Sequence, residues 1–204
     1  MRRRIFLLSP AHCGGERARL VFNPDARFDL AQRLRAAPGA PLGEVFSFLS
    51  GLYFRGKLAY AQAFARPPAG RPGVLVITPT DGLVLAEEPV GFERLRRFAE
   101  VDIAVANARY MEPLLRDARR LAEALDARCD VVLLGSIATP KYLEPLLAAF
   151  GERLRFPADF VGRGDMSRGG LLLRCARTGA ELEYIGVAGA VRRGPRPPRL
   201  ASSR

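Results

Sequence analysis

Short apolar runs alternate with amphipathic stretches along this chain of 204 residues. Uninterrupted Val, Leu, Ile and Phe residues predict strands buried on both faces. Such runs lie within residues 4–8, 73–78 and 130–134, and the shorter segments 101–105 and 154–156 predict two more strands. Apolar residues at helical spacing predict helices over residues 25–34, 44–65 in two pieces broken near Gly51, 92–100, 109–126 and 140–150.

This order of strands and helices is typical of an α/β fold: a three-layer α/β/α sandwich with a mostly parallel central sheet. Near the end of the chain, residues 171–176 and 181–187 flank a turn and predict a C-terminal β-hairpin. We expect a single α/β domain over residues 1–191, and a disordered tail over the Pro- and Arg-rich residues 192–204.

The net charge of the chain indicates the kind of partner that it binds. The chain has 32 Lys and Arg against 21 Asp and Glu, a net charge of +11, and Lys57 and Lys141 are its only lysines. Arginine makes forked contacts to phosphate, and a net charge this high predicts a polyanionic partner, most commonly nucleic acid. A merely soluble basic protein is the alternative.

Several classes of protein find no support in the sequence. No apolar run approaches the roughly 18 residues of a membrane helix, and the run after the basic N-terminus is too short for a signal peptide. The three cysteines (Cys13, Cys129, Cys175) fit neither a zinc site nor a disulfide framework, which predicts a reducing cytoplasm. Without a phosphate-binding or dinucleotide-binding glycine motif, nucleotide hydrolysis is not predicted. We expect a cytoplasmic monomer with no metal, no cofactor and no membrane contact.

The loop after the first strand contains the first candidate site. It holds the only histidine, His12, and Gly14 and Gly15 would let backbone amides approach a ligand. Arg17 and Arg19 follow at once. An imidazole, free amides and guanidinium groups suit a phosphate or the polar edge of a base. A polar turn with a surface histidine is the alternative.

Two later strand-end loops are expected at the same edge of the sheet. Asp81 follows the second buried strand, either as a site carboxylate or as a turn former. Ser136 and Lys141 flank the start of a helix, where amides and the positive end of the helix dipole favour an anion. An ordinary strand-to-helix turn is the alternative there.

Two other segments are candidates for contacts with nucleic acid. Tyr53 and Phe54 lie beside Arg55 and Lys57 in a helical stretch, where they would either stack bases and bind phosphates or pack in the core. Residues 162–170 are rich in glycine, which predicts either a loop shaped to present Arg163, Asp165 and Arg168 or a flexible surface loop.

Residues 8–17, LSPAHCGGER, resemble the first motif of the uracil-DNA glycosylase superfamily, in which a histidine, glycines and an arginine directly follow the first strand. Residues 135–142 stand where that superfamily has its second motif, but they lack its histidine. The chain as a whole also resembles glycosylase-like proteins of bacterial phage-defence loci that excise modified cytosines such as glucosylated hydroxymethylcytosine. The resemblance implies cleavage of an N-glycosidic bond in duplex DNA with a flipped base, and the missing histidine argues against uracil.

The resemblance also implies roles for the candidate residues. Asp165, or else Asp81, would be the catalytic carboxylate, and His12 would hold the base. The residues expected around the base are Ser9, Pro10, Ala11, Cys13, Gly14, Gly15, Tyr53, Phe54 and Ser136. The residues expected to bind DNA phosphates are Arg17, Arg19, Arg55, Lys57, Lys141, Arg163 and Arg168.

A second resemblance supports a different function. Residues 52–65 and 77–83 are similar to the stress-linked, DNA-binding YaaA-like proteins and to the companion domain of archaeosine synthase. A non-catalytic DNA- or RNA-binding module is therefore the alternative, for which the charge alone would suffice. An enzyme that acts on free nucleosides is a further alternative.

Overall fold

The computed structural model describes residues 2–188, 190 and 194 of the chain. The strands in this part are β1 (Arg4–Leu8), β2 (Ala40–Pro41), β3 (Val74–Ile77), β4 (Leu83–Leu85), β5 (Pro89–Val90), β6 (Asp130–Leu134), β7 (Leu154–Pro157) and β8 (Tyr184–Gly186). The α-helices are α1 (Glu16–Phe22), α2 (Asp29–Arg35), α3 (Leu42–Ser50), α4 (Leu52–Phe64), α5 (Phe92–Ala99), α6 (Ala108–Ala124), α7 (Pro140–Phe150) and α8 (Asp165–Thr178).

Six of these strands form one sheet in the order β4-β3-β1-β6-β7-β8. Strands β3, β1, β6 and β7 run parallel, and the two edge strands β4 and β8 are antiparallel to their neighbours. The predicted α/β class with a mostly parallel sheet is therefore confirmed. Strands β2 and β5 pair separately as a short antiparallel ribbon.

Helices cover both faces of the central strands. Ile5, Phe6, Leu7 and Leu8 of β1 are all fully buried, although successive side chains of a strand point to opposite faces. Because both faces of this strand are buried, residues 5–8 are all apolar instead of alternating between apolar and polar. Helix α4 packs on α8, and α6 packs on α7. The layers are those that the sequence pattern predicts.

The break between α3 and α4 lies at Gly51, as predicted. Gly51 has a φ of +65°, a left-handed conformation that glycine adopts without steric cost. The prediction of a strand over residues 101–105 is wrong, because the Ala104 N–H donates to the Asp102 carbonyl and closes a tight turn. No helix in the described part of the chain is both long enough and apolar enough to cross a membrane.

The C-terminal part differs most from the sequence prediction. The sheet does end in an antiparallel strand pair, but its members are β7 and β8, with Phe156 opposite Ile185. The predicted strand over 171–176 and most of the predicted loop over 162–170 belong to helix α8. The domain boundary at residue 191 and the tail over 192–204 lie outside the described residues, except for residue 194.

Candidate functional site

A cavity of about 450 Å³ opens at the carboxyl ends of the central parallel strands. This is the edge where open α/β sheets bind ligands. Its walls come from the loops after β1, β3 and β6, from the turn after α5, and from the first residues of α4, α7 and α8. Of the residues named in the sequence analysis, it brings together Ser9, Pro10, Ala11, His12, Cys13, Gly14, Tyr53, Ser136, Lys141 and Asp165.

The imidazole of His12 lies at the exposed rim of this cavity. Its ring lies against the backbone of the two glycines that follow. A Cβ atom built on Gly14 would lie 3.5 Å from His12 Cε1, and one built on Gly15 would lie 3.3 Å from His12 Cδ2. A side chain would therefore be in ordinary contact with the ring at Gly14 and slightly too close to it at Gly15.

Asp165 places a carboxylate at the same entrance. It is the first residue of α8, its side chain is 69% exposed, and Oδ1 lies 3.6 Å from the Arg168 guanidinium. The positive end of the α8 dipole stabilises a carboxylate at this position. Asp165 is solvated and lies at the cavity wall, so water and a ligand can both reach its carboxylate.

Two buried hydroxyl groups in the cavity wall have no hydrogen-bond partner among the described residues. Tyr53 is only 7% exposed, and its hydroxyl oxygen has no hydrogen bond of ordinary geometry, although the Arg168 guanidinium lies near it. Burial raises the pKa of Tyr53 to about 12, so the phenol is a neutral donor. Thr139 precedes α7, but its Oγ1 is buried, unpaired and caps no helix N–H. Buried polar groups are nearly always satisfied, so this pair is available to a water molecule or to a polar group of a ligand in the cavity.

Lys57 is not the phosphate-binding residue that the sequence suggested. Its side chain is 1% exposed, and Nζ donates hydrogen bonds to the carbonyl oxygen and to Oγ of Ser9, the latter at 2.8 Å. The ammonium lies 4.6 Å from the ring centre of Tyr53 and 4.9 Å from that of Phe54. No phosphate reaches it there.

The environment of Lys57 also weakens its hold on a proton. Burial lowers its pKa to about 7; the negative charge of Asp165 opposes this shift, and the positive charge of Arg168 adds to it.

The packing decides between the alternatives that the sequence left open for two more residues. Phe54 is fully buried and meets Phe46 edge to face at 5.4 Å between ring centres, so it has no free face for a base. Asp81 does not line the cavity. Its carboxylate accepts hydrogen bonds from Arg94 Nε at 2.6 Å and from the Thr80 hydroxyl, and its N–H donates to the Thr78 hydroxyl, as expected of a turn residue.

Three of the candidate arginines donate hydrogen bonds to backbone carbonyl oxygens, and two have only their exposure in common. Arg168 donates two hydrogen bonds to the Phe160 carbonyl and is 14% exposed, so it braces the turn before α8 and is not available to a phosphate. Arg163 bonds to the Asp159 carbonyl in the same turn. Arg17 donates to the Phe48 carbonyl. Arg19 and Arg55 are exposed.

Lys141, the remaining candidate cation, lies in the cavity wall with its Nζ 5.2 Å from the ring centre of Tyr142. Gly15 lies just outside the cavity as the residue before α1. Cys13 lines the wall as a buried thiol, and burial raises its pKa to about 12, so it is not a reactive thiolate.

Sequence reasoning missed the pairing of Lys57 with Ser9 and the unpaired Thr139 hydroxyl. A signal for the first was present, because helical spacing places position 57 on the same face as the buried residues Tyr53 and Tyr60. No comparable signal marks Thr139, since an unused cap depends on the local geometry of the helix start.

No family model matches this chain, and no similar protein was found among characterised proteins or among solved structures. The resemblance to DNA glycosylases therefore stays a prediction, made from residues 8–17 and 135–142.

Proposed function

We propose that this protein hydrolyses the N-glycosidic bond of a modified base in DNA and leaves an abasic site. The observation that carries the proposal is the content of the cavity: a carboxylate, an imidazole and two unpaired hydroxyl groups at the carboxyl edge of a parallel sheet. Its volume of about 450 Å³ lies within the range of about 300–1,000 Å³ that is usual for small-molecule sites.

The chemistry assigns Asp165 to the sugar side of the bond. Glycosidic cleavage passes through an oxocarbenium-like state, which a nearby carboxylate stabilises while it accepts a proton from the attacking water. Asp165 lies at the entrance and is solvated, so water can reach it. Asp81 is held by Arg94 outside the cavity and does not fit this role.

The unpaired hydroxyl groups suit the base side of the bond. A base inside a duplex must leave the stack before its glycosidic bond is accessible, and enzymes read the flipped base by hydrogen bonds to its edge. Tyr53 and Thr139 offer two hydroxyl groups that lack any other described partner. His12, at the rim, is placed to contact the base or a sugar attached to it.

Exposed positive charge on the protein suits the DNA backbone. Lys141 lies in the wall, Arg55 is exposed on the same helix as Tyr53, and Arg19 is exposed on the helix that follows the His12 loop. With a net charge of +11, the chain would attract a polyanion. A modified cytosine, such as the glucosylated hydroxymethyl form, is the base we expect, which suits a role in defence against phages.

The test is a panel of duplex DNAs that contain uracil, cytosine, hydroxymethylcytosine or its glucosylated form at one position. Alkali-labile strand breaks on a modified cytosine, and not on unmodified cytosine, are the expected result. If DNA is bound but every base stays attached, a non-catalytic binding module is the better explanation. Cleavage of free nucleosides alone would indicate a nucleoside-processing enzyme.

A further inference from the structure

Lys57 is a buried cation without a carboxylate partner. Among the described residues its ammonium forms no salt bridge, and Ser9 accepts both of its hydrogen bonds. A buried charge without compensation is costly, and titratable groups in such surroundings cluster at functional sites. Lys57 lies behind Ser9, and Ser9 lines the cavity.

The hydrogen bonds around Ser9 leave its hydroxyl proton for a ligand. Ser9 N–H donates to the Leu134 carbonyl at 3.1 Å, which fixes the start of the loop on the end of β6. The Ser9 hydroxyl oxygen accepts from Lys57, and no described residue accepts a hydrogen bond from that hydroxyl. The Lys57 ammonium thus polarises the Ser9 O–H, and the hydroxyl proton has no hydrogen-bond acceptor among the described residues.

We propose that Ser9 and Lys57 are the acid arm of the site, in which Ser9 gives its hydroxyl proton to the departing base and Lys57 replaces it. This inference rests on the proposed glycosidic cleavage. It also names the class of substrate more closely: N-glycosides of bases that must be protonated to leave, as cytosine-type bases must.

The proton and electron movements balance. The C1′–N bond breaks and its electron pair moves to the base nitrogen, while the Ser9 proton moves to the base. One proton of Lys57 Nζ moves to Ser9 Oγ and leaves a neutral amine. Water adds to C1′ and gives its proton to the Asp165 carboxylate. Exchange with solvent then returns a proton to Lys57 and removes one from Asp165.

The surroundings of Lys57 suit an acid that works near neutral pH. Asp165 and Arg168 face it from α8 and act in opposite directions, Ser9 faces it from the end of β1, and the rings of Tyr53 and Phe54 exclude water. A general acid works best when its pKa is close to the pH of the reaction. The burial of Lys57 achieves this, because a solvated lysine holds its proton too tightly.

The experiment compares base release by the wild-type protein, Ser9→Ala and Lys57→Met over a range of pH, with DNA affinity and thermal unfolding measured in parallel. Wild-type turnover should fall as the pH rises above about 7, where Lys57 loses its proton. Both variants should lose about 10²- to 10⁴-fold in turnover with DNA affinity kept, and the residual activity should lack this fall with pH.

Ser47→Ala is the matched control, because it removes a hydroxyl from α3 outside the cavity and should leave turnover unchanged. Wild-type turnover in a folded Ser9→Ala overturns the acid role of the pair and leaves the proposed function intact. Should Lys57→Met not fold, Ser9→Ala with its pH profile still decides. Absence of base release by the wild-type protein overturns the proposed function together with the role of the pair.

Discussion

Gly56 and Gly169 bring helices α4 and α8 into backbone contact. A Cβ atom built on Gly56 would lie 2.6 Å from the Gly169 carbonyl oxygen, and one built on Gly169 would lie 2.8 Å from the Leu52 carbonyl oxygen. Neither helix has room for a side chain at this crossing. The close approach sets the position of the first turn of α8, and with it Asp165, relative to Tyr53 on α4.

Gly169→Ala should therefore destabilise the protein. Alanine gains about 1 kcal/mol over glycine in a helix interior, but the added methyl group meets backbone atoms that cannot move aside, and overpacking costs about 1–3 kcal/mol. We expect a net loss in the free energy of unfolding in urea. Gly164→Ser, at the start of the same helix, is the control: a Cβ atom built on Gly164 has no atom within 4 Å, so this change should leave the free energy of unfolding unchanged. A Gly169→Ala protein that is more stable than the wild type would contradict the close contact.

This contact also explains the largest error of the sequence analysis. Glycines normally mark loops, and Gly162, Gly164, Gly169 and Gly170 lie close together in the sequence. Gly169 instead serves a crossing with Gly56, far away in the chain, which no local pattern reveals. The parallel strands, by contrast, were predictable, because burial on both faces demands uninterrupted apolar residues.

The position of the candidate site was predictable from the sequence, but the roles of some of its residues were not. The strand-end loops with His12, Ser136 and Lys141 do meet at one cavity, as the topology requires. The roles of Lys57 and Phe54 were not predictable from residue type, because a cation beside aromatic residues looks the same on a surface and in a core. Their burial depends on how α4 packs against the sheet and α8.

The burial of Lys57 predicts a pH-dependent stability. Its folded-state pKa of about 7 lies below its ordinary value of 10.5, so between these values the unfolded chain binds more protons. The free energy of unfolding should rise with pH through this window by at most about 1.4 kcal/mol per pH unit. Urea unfolding from pH 7 to 9 should show this rise in the wild-type protein relative to Lys57→Met. Lys141→Met is the control and should keep the wild-type pH dependence.

Tyr53→Phe separates ligand binding from stability. Its hydroxyl has no described partner, so its removal should leave thermal stability unchanged or slightly higher. If the hydroxyl binds the substrate, KM should rise roughly two- to thirteenfold, the equivalent of one hydrogen bond of about 0.5–1.5 kcal/mol.

Tyr60→Phe is the matched control for this change. The Tyr60 hydroxyl bonds to the Tyr184 hydroxyl at 2.6 Å and accepts from the Leu182 N–H at 2.8 Å. Its removal should destabilise the protein by about 1–3 kcal/mol and leave KM unchanged. A loss of stability with unchanged KM in Tyr53→Phe would show that the Tyr53 hydroxyl does not bind the substrate.

DNA binding should weaken steeply with salt. If about five phosphates are neutralised, log K should fall against log salt with a slope of roughly −4 to −5. Arg55→Gln, on the helix that carries Tyr53, should make this slope shallower by about 1. Arg119→Gln removes an exposed charge from α6 and should leave it unchanged. Equal effects of the two variants would indicate diffuse attraction rather than a DNA surface that includes Arg55.

Asp165 is the residue on which the proposed cleavage of the glycosidic bond depends most. The most direct measurement is the amount of free base released from DNA containing glucosylated hydroxymethylcytosine by the wild-type protein, Asp165→Asn and Asp81→Asn. We predict release by the wild-type protein and by Asp81→Asn, and a loss of about 10²- to 10⁴-fold in Asp165→Asn with DNA affinity kept. Full activity of Asp165→Asn, or no base released by any of the three while DNA stays bound, would contradict the account.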